Sequence, residues 1–125
     1  DPVDGDIVIT NASHWTFDGT GLADGARLRG LLGYEVDSVQ GCGPEGVEIL
    51  AASPWTTLAD PAAHGVAHMT LYEASSGALV FATGSIQWAW GFDDFNAPSL
   101  RTSRLCDAAQ QITRNVLARF CAIRR

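Results

Sequence analysis

The sequence predicts a layered α/β domain, with a mixed sheet and a long C-terminal helix. From about residue 103 to 123, apolar residues recur at steps of three and four, which is the period of one helical stripe. The stripe consists of Leu105, Ala109, Ile112, Val116, Phe120 and Ile123. Upstream, short β-branched or alternating runs are separated by glycine-rich turns, as in strands. A helix of this length packing on a sheet gives a layered domain.

The strand assignments follow the chain in order. Residues 7–10 form a short β-branched run, and residues 28–39 alternate apolar and polar side chains. The segment GCGPEG, residues 41–46, predicts a tight turn before an extended run over residues 47–53. Residues 54–65 are expected to form a loop. Residues 66–74 and 78–83 flank Ser-Ser-Gly as a hairpin does, and 78–83 lacks polar alternation, so it is expected to be buried on both faces.

Charge and composition exclude several classes of function. The net charge is −6 and the chain contains no lysine, which argues against a nucleic-acid partner. No apolar run approaches the roughly 20 residues of a membrane span. Three cysteines do not make a disulfide framework. No signal-peptide pattern is visible. We therefore expect a soluble protein; the compartment stays open, with the cytoplasm favoured.

Four segments together carry a resemblance to a known family. They are HWTFDGTGL (residues 14–22), GLLGYEVD (30–37), GSIQWAWGFDDF (84–95) and QQITRNVL (110–117). In this order they resemble the C-terminal domain of the N,N-dimethylformamidase large-subunit family. The third segment is the most specific. The resemblance implies a glutamine-amidotransferase-like, flavodoxin-like fold with parallel strands, of which residues 1–125 are either a single domain or the C-terminal portion.

The resemblance also implies a chemistry. Dimethylformamidases are amidohydrolases that split a small formamide into formate and an amine with an iron held by tyrosines and a carboxylate. We expect the iron ligands upstream of this chain, so no metal ligand is assigned within it. The implied partners are a small-molecule amide and either a second copy of the chain or the upstream part of the protein.

The predicted substrate site follows the strand of residues 78–83, because open α/β sheets bind ligands beyond the carboxyl ends of their strands. Backbone amides of Gly84, Ser85 and Ile86 are expected to hold an anion or oxyanion. Gln87 is expected to orient an amide.

Two tryptophans in the same segment allow two interpretations. Trp88 and Trp90 are either the walls of an apolar substrate pocket or packing residues at the sheet edge or on the last helix. In the second interpretation Asp93 and Asp94 are solvated. A non-catalytic alternative for the whole chain, a small-ligand or protein-interaction module, uses Trp88, Trp90 and Phe92 as an exposed aromatic patch.

Glu35 and His14 are the candidate catalytic residues. Glu35 lies two residues from Asp37 on one strand face, a spacing at which two carboxylates share acid-base work or a metal, although a solvated strand face has the same pattern. His14 is the candidate general acid or base among three histidines. If these assignments hold, both side chains face one cleft at the end of the strand of residues 78–83.

Two other patterns give weaker signals. His64 and His68 have the spacing of a helical metal pair, but Gly65 and the β-branched surroundings disfavour a helix. Cys42 stands between two glycines as in a nucleophile elbow. Pro44 follows where an elbow needs a helix, so Cys42 receives no catalytic role.

Overall fold

A computed structural model describes residues 2–122 of the chain. Five strands come first: β1 (Val3–Val8), β2 (Arg27–Tyr34), β3 (Glu48–Thr56), β4 (His64–Glu73) and β5 (Leu79–Ala82). Short 3-10 helices lie at Trp15–Phe17 and Ile86–Gly91, and the helix α1 spans Asp107–Ala122. The predicted α/β class with a long C-terminal helix is confirmed. No helix among the described residues is both long and apolar enough to cross a bilayer.

The strands form two small sheets that lie side by side. β1 pairs antiparallel with β2, and β3, β4 and β5 form an antiparallel meander. Isolated bridges from Val3 to Thr57 and from Ile9 to Ala51 connect β1 to β3. Every described strand pair is antiparallel, which departs from the parallel strands that the resemblance implies. The physical reason is visible in β3 to β5, where short turns reverse the chain and leave no room for the crossover that parallel neighbours need.

The structure contradicts one expected loop and one expected burial pattern. The loop expected over residues 54–65 is shorter, because β3 continues to Thr56 and β4 begins at His64, with Pro54 opposite Val66. Proline is tolerated there because β3 is an edge strand of its sheet. The strand expected to be buried on both faces is β5, and it is also an edge strand. Val80 at its centre is 55% exposed.

The core lies between the sheets and one face of α1. Ala109, Ile112 and Val116 are buried, which confirms the centre of the predicted helical stripe. The two ends of the predicted stripe are not buried. Leu105 precedes the helix and is exposed, and Phe120 is also exposed. Ile123 lies outside the described residues. The helix packs against the two 3-10 helices rather than along a strand. Its buried residues therefore all lie within its first three turns.

Candidate functional site

A surface cavity of about 490 Å³ lies beside the second 3-10 helix. We call it the Trp90 pocket. Its lining combines aromatic, aliphatic, amide and charged side chains from three parts of the chain: Tyr34, Ala89, Trp90, Asp93, Phe95, Asn96, Leu100 and Arg101. A cavity of this size with apolar walls and a few polar groups has the composition of a small-molecule site.

Three residues set the shape of the Trp90 pocket. Tyr34 ends β2 with a positive φ of 56°, and its ring meets the ring of Trp90 edge-on, with centroids 5.7 Å apart and planes at 86°. The guanidinium carbon of Arg101 lies 5.2 Å from the centroid of the Trp90 ring, a cation-π contact. The indole is thereby fixed by one contact from β2 and one from the segment before α1.

Arg101 is the cation of the pocket, and its side chain is only 13% exposed. Its Nη2 donates to the carbonyl of Asp93 at 2.8 Å, whereas the nearest carboxylate oxygen, Oδ1 of Asp94, is 4.0 Å from Nη1. That Oδ1 is buried and makes no hydrogen bond, while Oδ2 of Asp94 accepts from the hydroxyl of Ser103. Nη1 also donates to the carbonyl of Thr102 at 3.4 Å. The guanidinium therefore uses two of its five N–H groups on backbone carbonyls, and it is only loosely paired with a carboxylate.

Asp93 is the carboxylate that lines the pocket. Its Oδ1 accepts from the backbone amide of Phe95 at 2.7 Å, which fixes the turn after the 3-10 helix. A carboxylate has acceptor capacity beyond this one bond. The pocket thus offers a donor at Arg101 and an acceptor at Asp93, beside aromatic walls.

Ser85 supports the pocket from inside the protein. It is buried, and its hydroxyl donates to the carbonyl of Leu31 at 2.7 Å. The same oxygen accepts from the backbone amides of Gly33 at 2.9 Å and of Gln87 at 3.2 Å, the latter capping the 3-10 helix. These bonds attach the helix to β2, and Ser85 does not line the Trp90 pocket.

Gln87 is also part of this internal attachment. The side chain is 2% exposed, and Nε2 donates to the carbonyls of Leu32 at 3.0 Å and Gly30 at 3.2 Å. Oδ1 of Asp4 lies 3.3 Å from the same nitrogen. A Cβ on Gly33 would lie 2.1 Å from Nε2, so glycine is required where the side-chain amide of Gln87 crosses β2. In this structure the side-chain amide of Gln87 thus donates to backbone carbonyls of β2.

The backbone around Gly84 is also tightly packed against other parts of the protein. Gly84 is buried with a φ of +71°, and a Cβ there would lie 2.2 Å from the carbonyl oxygen of His68. Its own carbonyl accepts from the amide of Asp37 at 3.1 Å. Glycine is required because two backbone segments touch at this point.

Two of the three backbone amides that were predicted to hold an anion donate to acceptors within the protein. The amide of Ile86 donates to the carbonyl of Glu35 at 3.3 Å, and the amide of Ser85 to the hydroxyl of Thr83 at 3.4 Å. Both N–H groups have acceptors within the protein, because the segment folds back on β2 and on its own preceding turn.

The two tryptophans have different surroundings. Trp88 is buried, and its indole N–H donates to the hydroxyl of Thr113 on α1 at 3.1 Å. Its ring also meets the ring of Phe92 edge-on at 6.3 Å. Trp88 therefore packs on the last helix, as the packing interpretation predicts, whereas Trp90 lines a pocket.

His14 lies away from the Trp90 pocket, at the start of the first 3-10 helix. Its Nδ1 accepts from the backbone amide of Thr16 at 3.3 Å and lies 2.9 Å from the hydroxyl of the same residue. Its Nε2 is 3.6 Å from Oε2 of Glu48. Burial lowers the pKa of His14, and the smaller opposing effect of the Glu48 charge does not reverse this. In this structure the imidazole caps a turn.

Glu35 is exposed and directly follows Tyr34. Its carbonyl accepts from Ile86, but its side chain does not line the Trp90 pocket, and neither does His14. A catalytic role for Glu35 and His14 therefore stays a prediction.

The histidine pair at positions 64 and 68 lies on β4 and not on a helix. Residues four apart on a strand are separated by roughly 13 Å, and Nδ1 of His68 accepts from the amide of Val39. Within residues 2–122, no group of three or more His, Cys, Asp and Glu side chains has the arrangement of a metal site. Cys42 is exposed in its glycine-rich turn.

The iron centre that the resemblance implies does not fit these residues. The sequence has two tyrosines. Tyr34 ends β2 in one sheet, whereas Tyr72 lies on β4 in the other, opposite Val80. The two phenols therefore do not converge on one ion within this chain.

Comparison with known proteins identifies the family. A family model described as N,N-dimethylformamidase beta subunit-like, C-terminal, matches residues 1–102. The chain belongs to this family. The match contains the first three segments that carry the resemblance and every residue that lines the Trp90 pocket, and it ends before the fourth segment on α1. Neither a curated protein nor a solved structure matches the chain.

Of the eight residues that line the pocket, sequence reasoning assigned only Trp90 to a site. Four of the seven that it missed lie within the recognised segments, and the other three are Asn96, Leu100 and Arg101. They follow the recognised GSIQWAWGFDDF segment and belong to no periodic pattern. A weak signal was present, because an isolated arginine close after an aromatic run favours a cation-π contact. Its partner, however, is defined only by the fold.

Proposed function

We propose that this chain is the C-terminal part of a dimethylformamidase-like amidohydrolase and that the Trp90 pocket binds the small amide substrate. The observation that carries the proposal is that the Arg101 guanidinium and the Asp93 carboxylate line one pocket beside aromatic walls, within the residues that the family model matches. Membership of the family supports the reaction class, hydrolysis of a non-peptide C–N bond.

The pocket has the chemistry that an amide requires. An amide presents a carbonyl oxygen as acceptor, a planar face and, when nitrogen is not fully substituted, an N–H donor. The free donors of Arg101 suit the oxygen, and the ring of Tyr34 suits the planar face. The Arg101 side chain is mostly buried, so a charge-assisted hydrogen bond from its guanidinium competes with less water than one from an exposed side chain.

The catalytic groups of the reaction are proposed to lie mainly outside the described residues. Glu35 is retained as the candidate acid or base because it follows Tyr34 at the pocket wall. His14 has both ring nitrogens close to protein groups, so a role in proton transfer requires it to leave its Thr16 contact. No step is assigned to iron, because the tyrosines of the chain do not converge.

The test is a nuclear magnetic resonance titration of the isotope-labelled chain with N,N-dimethylformamide. We expect chemical-shift changes at the Trp90 indole and at Tyr34. Arg101→Gln should weaken binding about tenfold, the equivalent of one charge-assisted hydrogen bond of about 1.4 kcal/mol. Arg114→Gln, at an exposed arginine on α1 that does not line the pocket, is the matched control. A folded chain with no pocket shifts at saturating amide would refute the proposal.

A non-catalytic interaction module is the second candidate, and a separate observation supports it. Phe95 and Leu100, both at the Trp90 pocket, are 78% and 79% exposed. Exposed apolar clusters of this kind mark protein interfaces. The patch differs from the one predicted, since Trp88 is buried. Light scattering over a concentration range would decide: self-association that Phe95→Ala abolishes and Val80→Ala preserves favours the module.

A further inference from the structure

The Trp90 pocket is much larger than a dimethylated formamide. Its volume of about 490 Å³ lies within the range of roughly 300–1,000 Å³ that holds drug-sized ligands. A formamide with two methyl groups would occupy only a small part of such a pocket and would leave much of its exposed apolar surface in water. The dimensions call for a ligand with an extended apolar part attached to its amide.

The distribution of side chains specifies that apolar part. Tyr34, Phe95 and Leu100 are exposed apolar residues of the pocket, and Tyr34 and Phe95 present rings. Rings pair favourably with rings in offset or edge-to-face geometry, which adds to the gain from area burial. An aromatic ring on the ligand would cover surface that is otherwise in water.

The polar groups specify the other end. Arg101 donates to the carbonyls of Asp93 and Thr102, and its remaining N–H groups are donors for a carbonyl oxygen of the ligand. Asp93 has acceptor capacity for an N–H beyond its bond from the Phe95 amide. A tertiary amide has no N–H, so it would leave the Asp93 carboxylate without a ligand donor. A primary or secondary amide satisfies both residues at once.

We infer that the Trp90 pocket binds aromatic carboxamides that carry an N–H, with the carbonyl toward Arg101, the N–H toward Asp93 and the ring against Tyr34 and Phe95. The inference rests on the proposed function and narrows its substrate class. It implies that benzamide is a better ligand than N,N-dimethylformamide.

The experiment titrates the chain with benzamide, N,N-dimethylbenzamide and N,N-dimethylformamide by nuclear magnetic resonance. Benzamide should bind at least about tenfold more tightly than N,N-dimethylformamide, because a buried ring contributes about that factor or more. Phe95→Ala should weaken benzamide binding by about threefold to tenfold. Phe120→Ala, an exposed ring on α1 outside the pocket, should leave it unchanged.

A second comparison isolates the N–H. N,N-dimethylbenzamide should bind more weakly than benzamide, by about threefold to tenfold, the equivalent of one net hydrogen bond. Asp93→Asn should reduce this difference, with circular dichroism as the check that the variant is folded. Equal binding of the two benzamides by the parent chain would overturn the N–H assignment.

The remaining outcomes separate the inference from the proposed function. If N,N-dimethylformamide binds at the pocket as tightly as benzamide, the inference fails and the proposed function stands. If neither ligand shifts the Trp90 or Tyr34 signals of a folded chain, both fail.

Discussion

Gln87→Leu tests whether the segment recognised in the sequence is an internal support or a substrate contact. Leucine keeps most of the side-chain volume but removes the Nε2 donor. The carbonyls of Gly30 and Leu32 then lose a buried partner at 3.2 and 3.0 Å. Both carbonyls belong to β2, so the attachment of the 3-10 helix to the sheet weakens.

The magnitude follows from the cost of unsatisfied buried acceptors. Each costs about 1–3 kcal/mol, and because a carbonyl retains a second lone pair we expect the lower part of that range, about 2–4 kcal/mol for the two. At about 2.1 cal/mol/K of unfolding entropy per residue, this lowers Tm by about 8–15 °C.

The assay is urea unfolding followed by tryptophan fluorescence, with Gln40→Leu as the control at an exposed loop position. The control should change the free energy of unfolding by less than about 0.5 kcal/mol. A loss below about 1 kcal/mol for Gln87→Leu would refute the structural reasoning. If that variant also lost amide binding while staying stable, the substrate role predicted for Gln87 would be supported.

Three further substitutions have defined outcomes. Gly84→Ala should destabilise the chain by at least about 3 kcal/mol in urea unfolding, because the new Cβ would lie 2.2 Å from the His68 carbonyl oxygen at a φ of +71°. Gly41→Ala is the control, since Gly41 has a φ of +76° with nothing within 4 Å, and it should cost only about 1–2 kcal/mol. Equal losses for the two variants would contradict the steric argument. Arg104→Gln should lower the free energy of unfolding by about 0.5–1.5 kcal/mol, since Nη2 is 3.0 Å from a partly exposed Asp4 carboxylate. If the Tm of this variant equalled that of the exposed control Arg29→Gln, the ion pair would contribute nothing to stability. Burial lowers the pKa of His14 below 6.5 in the folded chain. The unfolded chain therefore binds more protons at this residue, and the free energy of unfolding falls as pH drops from 6.5 through the pKa of the folded chain. His14→Asn, which keeps a capping side chain, should reduce the Tm difference between pH 7.5 and pH 5, and an undiminished difference would disprove the assignment.

Local pattern was sufficient for part of the fold. The period of three and four predicted α1, and its buried residues Ala109, Ile112 and Val116 lie on the predicted stripe. The Ser-Ser-Gly turn predicted the hairpin of β4 and β5. These features are readable because each depends on residues close together in the chain. The family resemblance was readable for the same reason.

Strand exposure and the roles of the motif residues were not readable. Residues 78–83 look like a central strand, yet β5 lies at a sheet edge, because burial depends on which strands become neighbours. Ser85 and Gln87 look like substrate residues because polar side chains beside tryptophans suggest a site. Their partners are carbonyls and amides of β2, more than fifty residues earlier in the chain.

By itself, the sequence determined the family, the α/β class, the C-terminal helix and the importance of the segment from Gly84 to Phe95. Only the tertiary structure decided which side chains of that segment face a cavity. Trp90 lines the pocket because Tyr34, from β2, and Arg101, from the segment before α1, reach its ring, whereas Trp88 faces α1. Because a 3-10 helix has about three residues per turn, side chains two positions apart point about 120° apart, and tertiary packing determines what each one meets.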